Sequence, residues 1–257
     1  MHRLPRTRRR AKGLFITAAV AAASLLLPFL SVAAQVTLST PAVLPGDDGR
    51  TPAAGRQEEP RVSKGADSYL AVWTDGRTSL SDNGTAGLNV PGSSAGLGSM
   101  LDIYAARLDA AGRVVDTTPV IVSQAQHNQT SPRVGWNGTA WLVSWLTVRP
   151  RDQFSHTQDL VAARVSADGL LLDPEPVVIK SDVSAEQRPA AVIDDGAGNW
   201  VVAWEGTLPQ EGTSIPRGVF VARVGGDGAV LDPGGRVVYN HHSQFMGNPD
   251  LARAGDR

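Results

Sequence analysis

The chain contains no cysteine. That excludes a disulfide-stapled scaffold, an iron–sulfur protein, a Cys-ligated zinc site and a lipid-anchored lipoprotein. Histidine is scarce, with five residues, and no H-E-x-x-H run occurs. The one adjacent pair, His241-His242, would point to opposite sides of a strand, which argues against a shared metal. The calcium-loop pattern D-x-D-x-D-G is missing too; Asp47-Asp48-Gly49 and Asp194-Asp195-Gly196 read as turns. Charge is low at 19% and apolar content is 42%, which excludes a disordered chain. After residue 34 there is no apolar run of membrane-spanning length and no useful 3.6-residue apolar period, so neither a spanning helix nor a helical domain is expected. The expectation is therefore a protein without metal or cofactor, and 257 residues allow one large domain or two small ones.

The formal charge of −1 hides two unlike parts. Residues 1–34 hold six basic residues and no acidic one, leaving 18 basic against 25 acidic residues, or −7, in the rest. A mildly acidic body has no electrostatic footprint for nucleic acid or anionic lipid. The basic start MHRLPRTRRRAK precedes the apolar GLFITAAVAAASLLLPFL and the small-residue SVAAQ. This is the order of a signal peptide. Ala34 with Val32 suits cleavage before Gln35, and Ala33 with Ser31 fits nearly as well. The alternative is an uncleaved anchor from Gly13 to Leu30, which barely spans a bilayer; Pro28 and the small residues after it favour processing. Thr7-Arg8-Arg9 shares only its arginine pair with a twin-arginine signal. The expectation is a mature chain that is secreted, periplasmic or at the cell surface, with no membrane segment after cleavage. Cysteine-free export fits a bacterium, where the N-x-T sequons at Asn83, Asn128 and Asn137 would carry no weight.

The strongest feature is an internal repeat. DIYAARLDAAGRVVD, DLVAARVSADGLLLD and GVFVARVGGDGAVLD begin at Asp102, Asp159 and Gly218. They align Arg107, Arg164 and Arg223, then Gly112, Gly169 and Gly228, then Asp116, Asp173 and Asp232. A second block runs from Pro60, Pro132 and Pro189 to Trp73, Trp145 and Trp204. The period is near 58 residues, and each unit reads as four short strands. In the middle unit these are Arg133–Trp136 (A), Ala140–Leu146 (B), Leu160–Ser166 (C), and a strand D through Leu170–Leu172 that resumes at Val177–Ile179 after Pro174 and Pro176. Four antiparallel strands at this period predict an all-β, β-propeller-like array of blades; an immunoglobulin-like unit would need about 100 residues. The expected organisation is residues 1–34 as signal peptide, 35–59 as an N-terminal strand and linker, and 60–257 as repeats: 60–131, 132–188, 189–248 and the start of a fourth at 249–257. Leu38–Val43 resembles a strand D without its A, B and C, and Asn248–Arg253 a strand A without its B and C. The phase predicts about three blades in an incomplete ring, as in a piece of a longer propeller.

Short A–B and C–D turns repeat, whereas the B–C connections vary: Asp75–Leu101, Arg149–Gln158 and Gly206–Arg217. The D–A connections Ser123–Ser131, Ser181–Arg188 and His241–Asn248 share that face. Variable loops on a rigid frame are where binding residues collect. Candidate ligand residues near them are Asp75, Arg77, Arg149, Asp102 and Asp159. Trp136 joins them because it has no aromatic counterpart in the other units. Trp73, Trp145 and Trp204, four residues after Tyr69, Trp141 and Trp200, share a strand face with them and read as packing between blades. Arg107, Arg164 and Arg223 read as structural ion pairs with Asp116, Asp173 and Asp232. Gly92-Ser93-Ser94-Ala95-Gly96 matches G-x-S-x-G, but without the strand and helix of a nucleophile elbow it reads as loop.

The run W-T-D-G-R at Trp73–Arg77, followed by D-I-Y-A-A-R-L-D-A-A-G at Asp102–Gly112, resembles the repeat of large secreted bacterial β-propeller proteins over about residues 60–240. More loosely it resembles TolB-like and sialidase-like blades. The resemblance implies a scaffold and an exported location, and it carries over no active-site residue. The expected role is a non-catalytic module binding a glycan or protein. The alternative is a carbohydrate-active enzyme with its site on the B–C loops, since paired carboxylates could hydrolyse a glycosidic bond.

Overall fold

In each repeat, near-continuous apolar runs such as Tyr69–Trp73 and Ala140–Leu146 form the inner strands of a separate antiparallel sheet, buried on both faces. The computed structural model describes residues 55–77, 101–150, 156–182, 187–208, 217–241 and 249–252. Backbone contacts separate Met1–Thr37 from Leu38–Arg257, and all the described residues belong to the second unit. The signal-peptide segment, the strand expected near Leu38, Ser94 and most of the first B–C connection lie outside the described residues.

The first sheet holds β1 (Gln57–Lys64), β2 (Tyr69–Asp75), β3 (Asp102–Leu108) and β4 (Val120–Ser123). The second holds β5 (Asn128–Trp136), β6 (Ala140–Pro150), β7 (His156–Ser166) and β8 (Val177–Asp182). The third holds β9 (Gln187–Asp194), β10 (Trp200–Thr207), β11 (Arg217–Val224) and β12 (Arg236–His241). Strands pair in sequence order within each sheet. The chain is thus all-β, an array of three four-stranded blades, and no ring closure is found among the described residues. Strand D enters each sheet twice, as expected: single bridges Leu108–Val114, Val165–Leu171 and Val224–Val230 precede β4, β8 and β12.

Strand A is longer than its alternation predicts. β5 begins at Asn128 rather than Arg133, because Asn128–Thr130 pair with Leu146–Val148 before a bulge at Ser131 and Pro132. Glu59-Pro60 and Pro189-Ala190 occupy the corresponding bulges, opposite Trp73 and at Trp204. Glu59 and Ser131 take the left-handed conformation, with φ of 56° and 59°. Strand A is the edge of each sheet, so its proline breaks no ladder. The bulge also lets Glu59 link two sheets: its Oε2 accepts 2.6 Å from the Ser131 backbone N–H.

The sheets are held face to face by the strand-B aromatics. Trp141 and Trp145 pack among Leu70, Val72, Ile103 and Ala105 of the first sheet. Trp200 and Trp204 do the same among Leu142, Leu146, Leu160 and Ala162 of the second. All four rings are fully buried, and each contributes on the order of 5 kcal/mol of gross hydrophobic stabilisation. Trp200 also donates 3.0 Å to the Gly135 carbonyl. A side chain at Gly135 would run into the β9 backbone at Val192, so glycine permits this close approach.

A second link repeats at the C–D turns. Arg107 clamps Asp116 through its backbone N–H (2.6 Å), Nε (2.9 Å) and an Nη (2.7 Å). Its other Nη crosses to the Ala167 carbonyl of the next sheet at 3.2 Å. Arg164 repeats the clamp on Asp173 and crosses to the Gly226 carbonyl at 2.7 Å. Glycine leaves room for the incoming arginine at these turns: Gly169 and Gly228 have φ of 82° and 91°, and a Cβ there would lie 2.8 Å from the Arg107 Nε and 3.0 Å from the Arg164 Nε. Arg223 clamps Asp232 in the same way, but its side chain is 47% exposed, against 22% for Arg107 and 18% for Arg164.

Candidate functional site

The candidate face lies at the end of each sheet where strands B and C part. Asp75 stands directly across the ladder from Asp102, and Thr147 from Asp159; Gly206 faces Gly218 at the same place. The repeat alignment therefore located these positions, but their chemistry differs in every sheet.

In the first sheet, Asp75 and Asp102 are both fully buried. Asp75 accepts from Trp73 Nε1 at 2.7 Å, from the Arg77 backbone N–H at 2.9 Å and from an Arg77 Nη at 2.7 Å. The Arg77 guanidinium lies 4.4 Å from the centre of the Tyr104 ring, a cation–π placement. Trp73 stacks on that ring at 6.3 Å, and Gln124 donates to its hydroxyl at 2.7 Å. Burial, reinforced by Asp102, raises the Tyr104 hydroxyl above its ordinary pKa, with Arg77 opposing. Three of the candidate ligand residues, Asp75, Arg77 and Asp102, are thus brought together at one place, joined by Trp73, which the repeat assigned to packing and which here lies against Tyr104 of its own sheet.

In the second sheet Arg149 pairs with Asp159, and Ser181 Oγ donates 2.7 Å to the same carboxylate. Arg149 and Gln158 are strand residues rather than loop residues, because β6 and β7 pair as far as Pro150 and His156. In the third sheet the acid comes from another position: Arg217 Nε donates 2.5 Å to Glu205, and both are buried. With Thr147 and Gly206 at the Asp75 offset, Trp145 and Trp204 make no indole bond like that of Trp73.

Trp136 is placed elsewhere. It ends β5 at the A–B turn, paired across the hairpin with Trp141 at a ring separation of 4.6 Å. The Asn128 end of the same strand faces Val148, so Trp136 sits at the opposite end of the sheet from Arg149 and Asp159. At the equivalent place the other sheets set Lys64 opposite Tyr69 and Asp194 opposite Trp200.

Sequence reasoning missed Glu205 and Arg217, which share no offset with the acids of the other sheets. It also missed Gln57, Gln129 and Gln187, which open strand A and face Asp75, Thr147 and Gly206. The signal available was a Gln two or three residues before each unit's proline. Gln129 is buried, with its amide nitrogen on the carbonyls of Gln126 (3.1 Å) and His127 (2.8 Å). Among the described residues no three His, Asp or Glu side chains come together as a metal set, and no helix is long and apolar enough to cross a membrane. The chain matches no protein-family model and no curated protein.

Proposed function

We propose that this chain is an exported, non-catalytic binding or interaction module, akin to the repeats of secreted bacterial propellers, that holds a glycan or protein through its B–C face. One observation carries the reading. Three sheets with the same strands and the same C–D clamps end on this face in three differently wired Arg–carboxylate pairs: Asp75–Arg77, Asp159–Arg149 and Glu205–Arg217. Each pair flanks a connection of different length, residues 76–101, 151–155 and 208–216. A frame that is constant at one end and individual at the other suits recognition by a few fixed polar and aromatic groups. Of the acids that could serve as a hydrolytic pair, Asp102 and Asp159, the second is engaged by Arg149 and Ser181, and Asp102 is fully buried across the ladder from Asp75, itself bound by Trp73 and Arg77.

The test is to present the purified chain with a glycan array and with glycosidase substrates. The expected result is saturable binding without turnover, weakened when residues 78–100 are shortened. Turnover abolished by Asp102→Asn or Asp159→Asn would replace this reading with a carbohydrate-active enzyme.

A further inference from the structure

The A strands of the three sheets line a cleft of about 500 Å³ distinct from the B–C face. Its walls come from Arg61 and Val62 of β1, Arg133 and Val134 of β5, residues 190–193 of β9, and Pro249–Leu251. Each wall follows a proline: Pro60-Arg61, Pro132-Arg133, Pro189-Ala190 and Pro249-Asp250 are the same repeat position. Around the cleft that position therefore reads Arg, Arg, Ala, Asp.

The two arginines are not used as arginines usually are in this protein. Arg77, Arg107, Arg149, Arg164, Arg217 and Arg223 each hold a carboxylate. Arg61 and Arg133 instead donate to backbone carbonyls. Arg61 Nη1 reaches Pro60 at 2.8 Å; Arg133 Nη1 reaches Pro132 at 2.8 Å, and its Nε reaches Ala190 at 2.8 Å. Among the described residues neither forms a salt bridge. Their like charges act on one another: burial first, then Arg61, lowers the Arg133 pKa, with Glu59 and Asp250 opposing. Two guanidiniums on the wall of one cleft, each anchored to carbonyls through only some of its donors, are suited to an oxyanion that bridges them. Val62, Val134 and Leu251 add apolar wall beside them, and the volume lies within the range of small-molecule sites.

We infer that this cleft is a binding site for a small organic oxyanion, a carboxylate or a phosphate ester, bridged by Arg61 and Arg133 and disfavoured by Asp250. The inference does not depend on the B–C face, since it concerns other residues and another ligand surface.

The experiment follows the arginine side-chain Nε–Hε NMR signals of the full chain. Glucuronate, inorganic phosphate and, as neutral control, glucose are titrated separately. The expected result is saturable shifts of the Arg61 and Arg133 signals with glucuronate or phosphate and none with glucose. The tighter of the two anions identifies the source chemistry. Arg61→Gln should weaken binding about tenfold, the range for a charge-assisted hydrogen bond. Arg61 bonds only its own neighbour's carbonyl, so this variant should fold. Asp250→Asn should tighten binding about threefold by removing the opposing charge. Equal shifts with glucose, no saturable shift with either anion, or anion binding indifferent to both Arg61→Gln and Asp250→Asn would overturn the inference.

Discussion

The two ends of each sheet are built on different principles. At the C–D end, three sheets repeat one device: arginine, aspartate nine residues later, glycine turn. In the first two sheets that device also reaches the next sheet, through Ala167 and Gly226. At the B–C end, each sheet pairs an arginine with an acid from a different offset, and the first also recruits Trp73 and Tyr104. A contact whose geometry must fit the next sheet is constrained to recur, because the second sheet must accept it from the first and donate it to the third. A contact that serves only its own sheet is released from that constraint.

The largest effect should come from the packing common to both ends. Trp200→Ala removes a fully buried ring from the second interface, together with its bond to Gly135. It should cost about 3–5 kcal/mol in urea unfolding. Next comes the turn that receives Arg107. Gly169→Ala puts a side chain at φ of 82° with the Arg107 Nε 2.8 Å away, and should cost about 1–3 kcal/mol. The same change at Gly112, with φ of 79° and no neighbour within 4 Å, should cost only about 1 kcal/mol from the backbone. The difference between the two isolates the link to the next sheet.

Acid should weaken the C–D end. Burial alone would raise Asp173, but side-chain and backbone hydrogen bonds from Arg164 outweigh it and hold its pKa down. Asp232 is held low chiefly by the Arg223 side chain, with the Arg223 backbone N–H and Arg236 adding to it. A folded pKa below the unfolded value means the stabilisation is complete above the unfolded pKa of about 4 and is lost as pH falls through the folded value. Thermal stability should be flat from about pH 7 to 5 and fall below about 4. Asp173→Asn should flatten that decline. The smallest effect should be at Arg223, which bonds no other sheet among the described residues and shares Asp232 with Arg236. Arg223→Met should shift the urea midpoint least of these variants.

What the sequence disclosed follows from range. Strands B and C, their glycine turns and the interrupted strand D were legible because short apolar runs and the turn chemistry that bounds them act over a few residues. The Arg107–Asp116 pairing was legible because it repeats at one spacing. Its second hydrogen bond, to Ala167, was not, since no local rule links residues sixty positions apart. The early start of β5 was hidden because Gln129-Thr130-Ser131-Pro132 has no alternation and contains a bulge. Glu205 and Arg217 escaped because repeat alignment finds what recurs, and these recur nowhere. For the same reason Trp136 stood out, although it packs on Trp141 at the far end of the sheet from the B–C face. The cleft beside Arg61 and Arg133 depends on the A strands of separate sheets meeting, which sequence spacing does not encode.

One pair of variants addresses the contrast directly. Arg164 and Arg149 lie in the second sheet, each bonded to an aspartate, at opposite ends. Arg164→Met and Arg149→Met should be compared by equilibrium urea unfolding of the full chain. Arg164→Met removes both side-chain bonds to Asp173, leaving it the backbone N–H alone, and cuts the bond to Gly226, so a loss of about 2–4 kcal/mol is expected. Arg149 is 47% exposed and leaves Asp159 its bond from Ser181, so a loss of about 1 kcal/mol or less is expected. Equal losses, or a larger loss at Arg149, would contradict the assignment of architecture to one end of the sheets and recognition to the other.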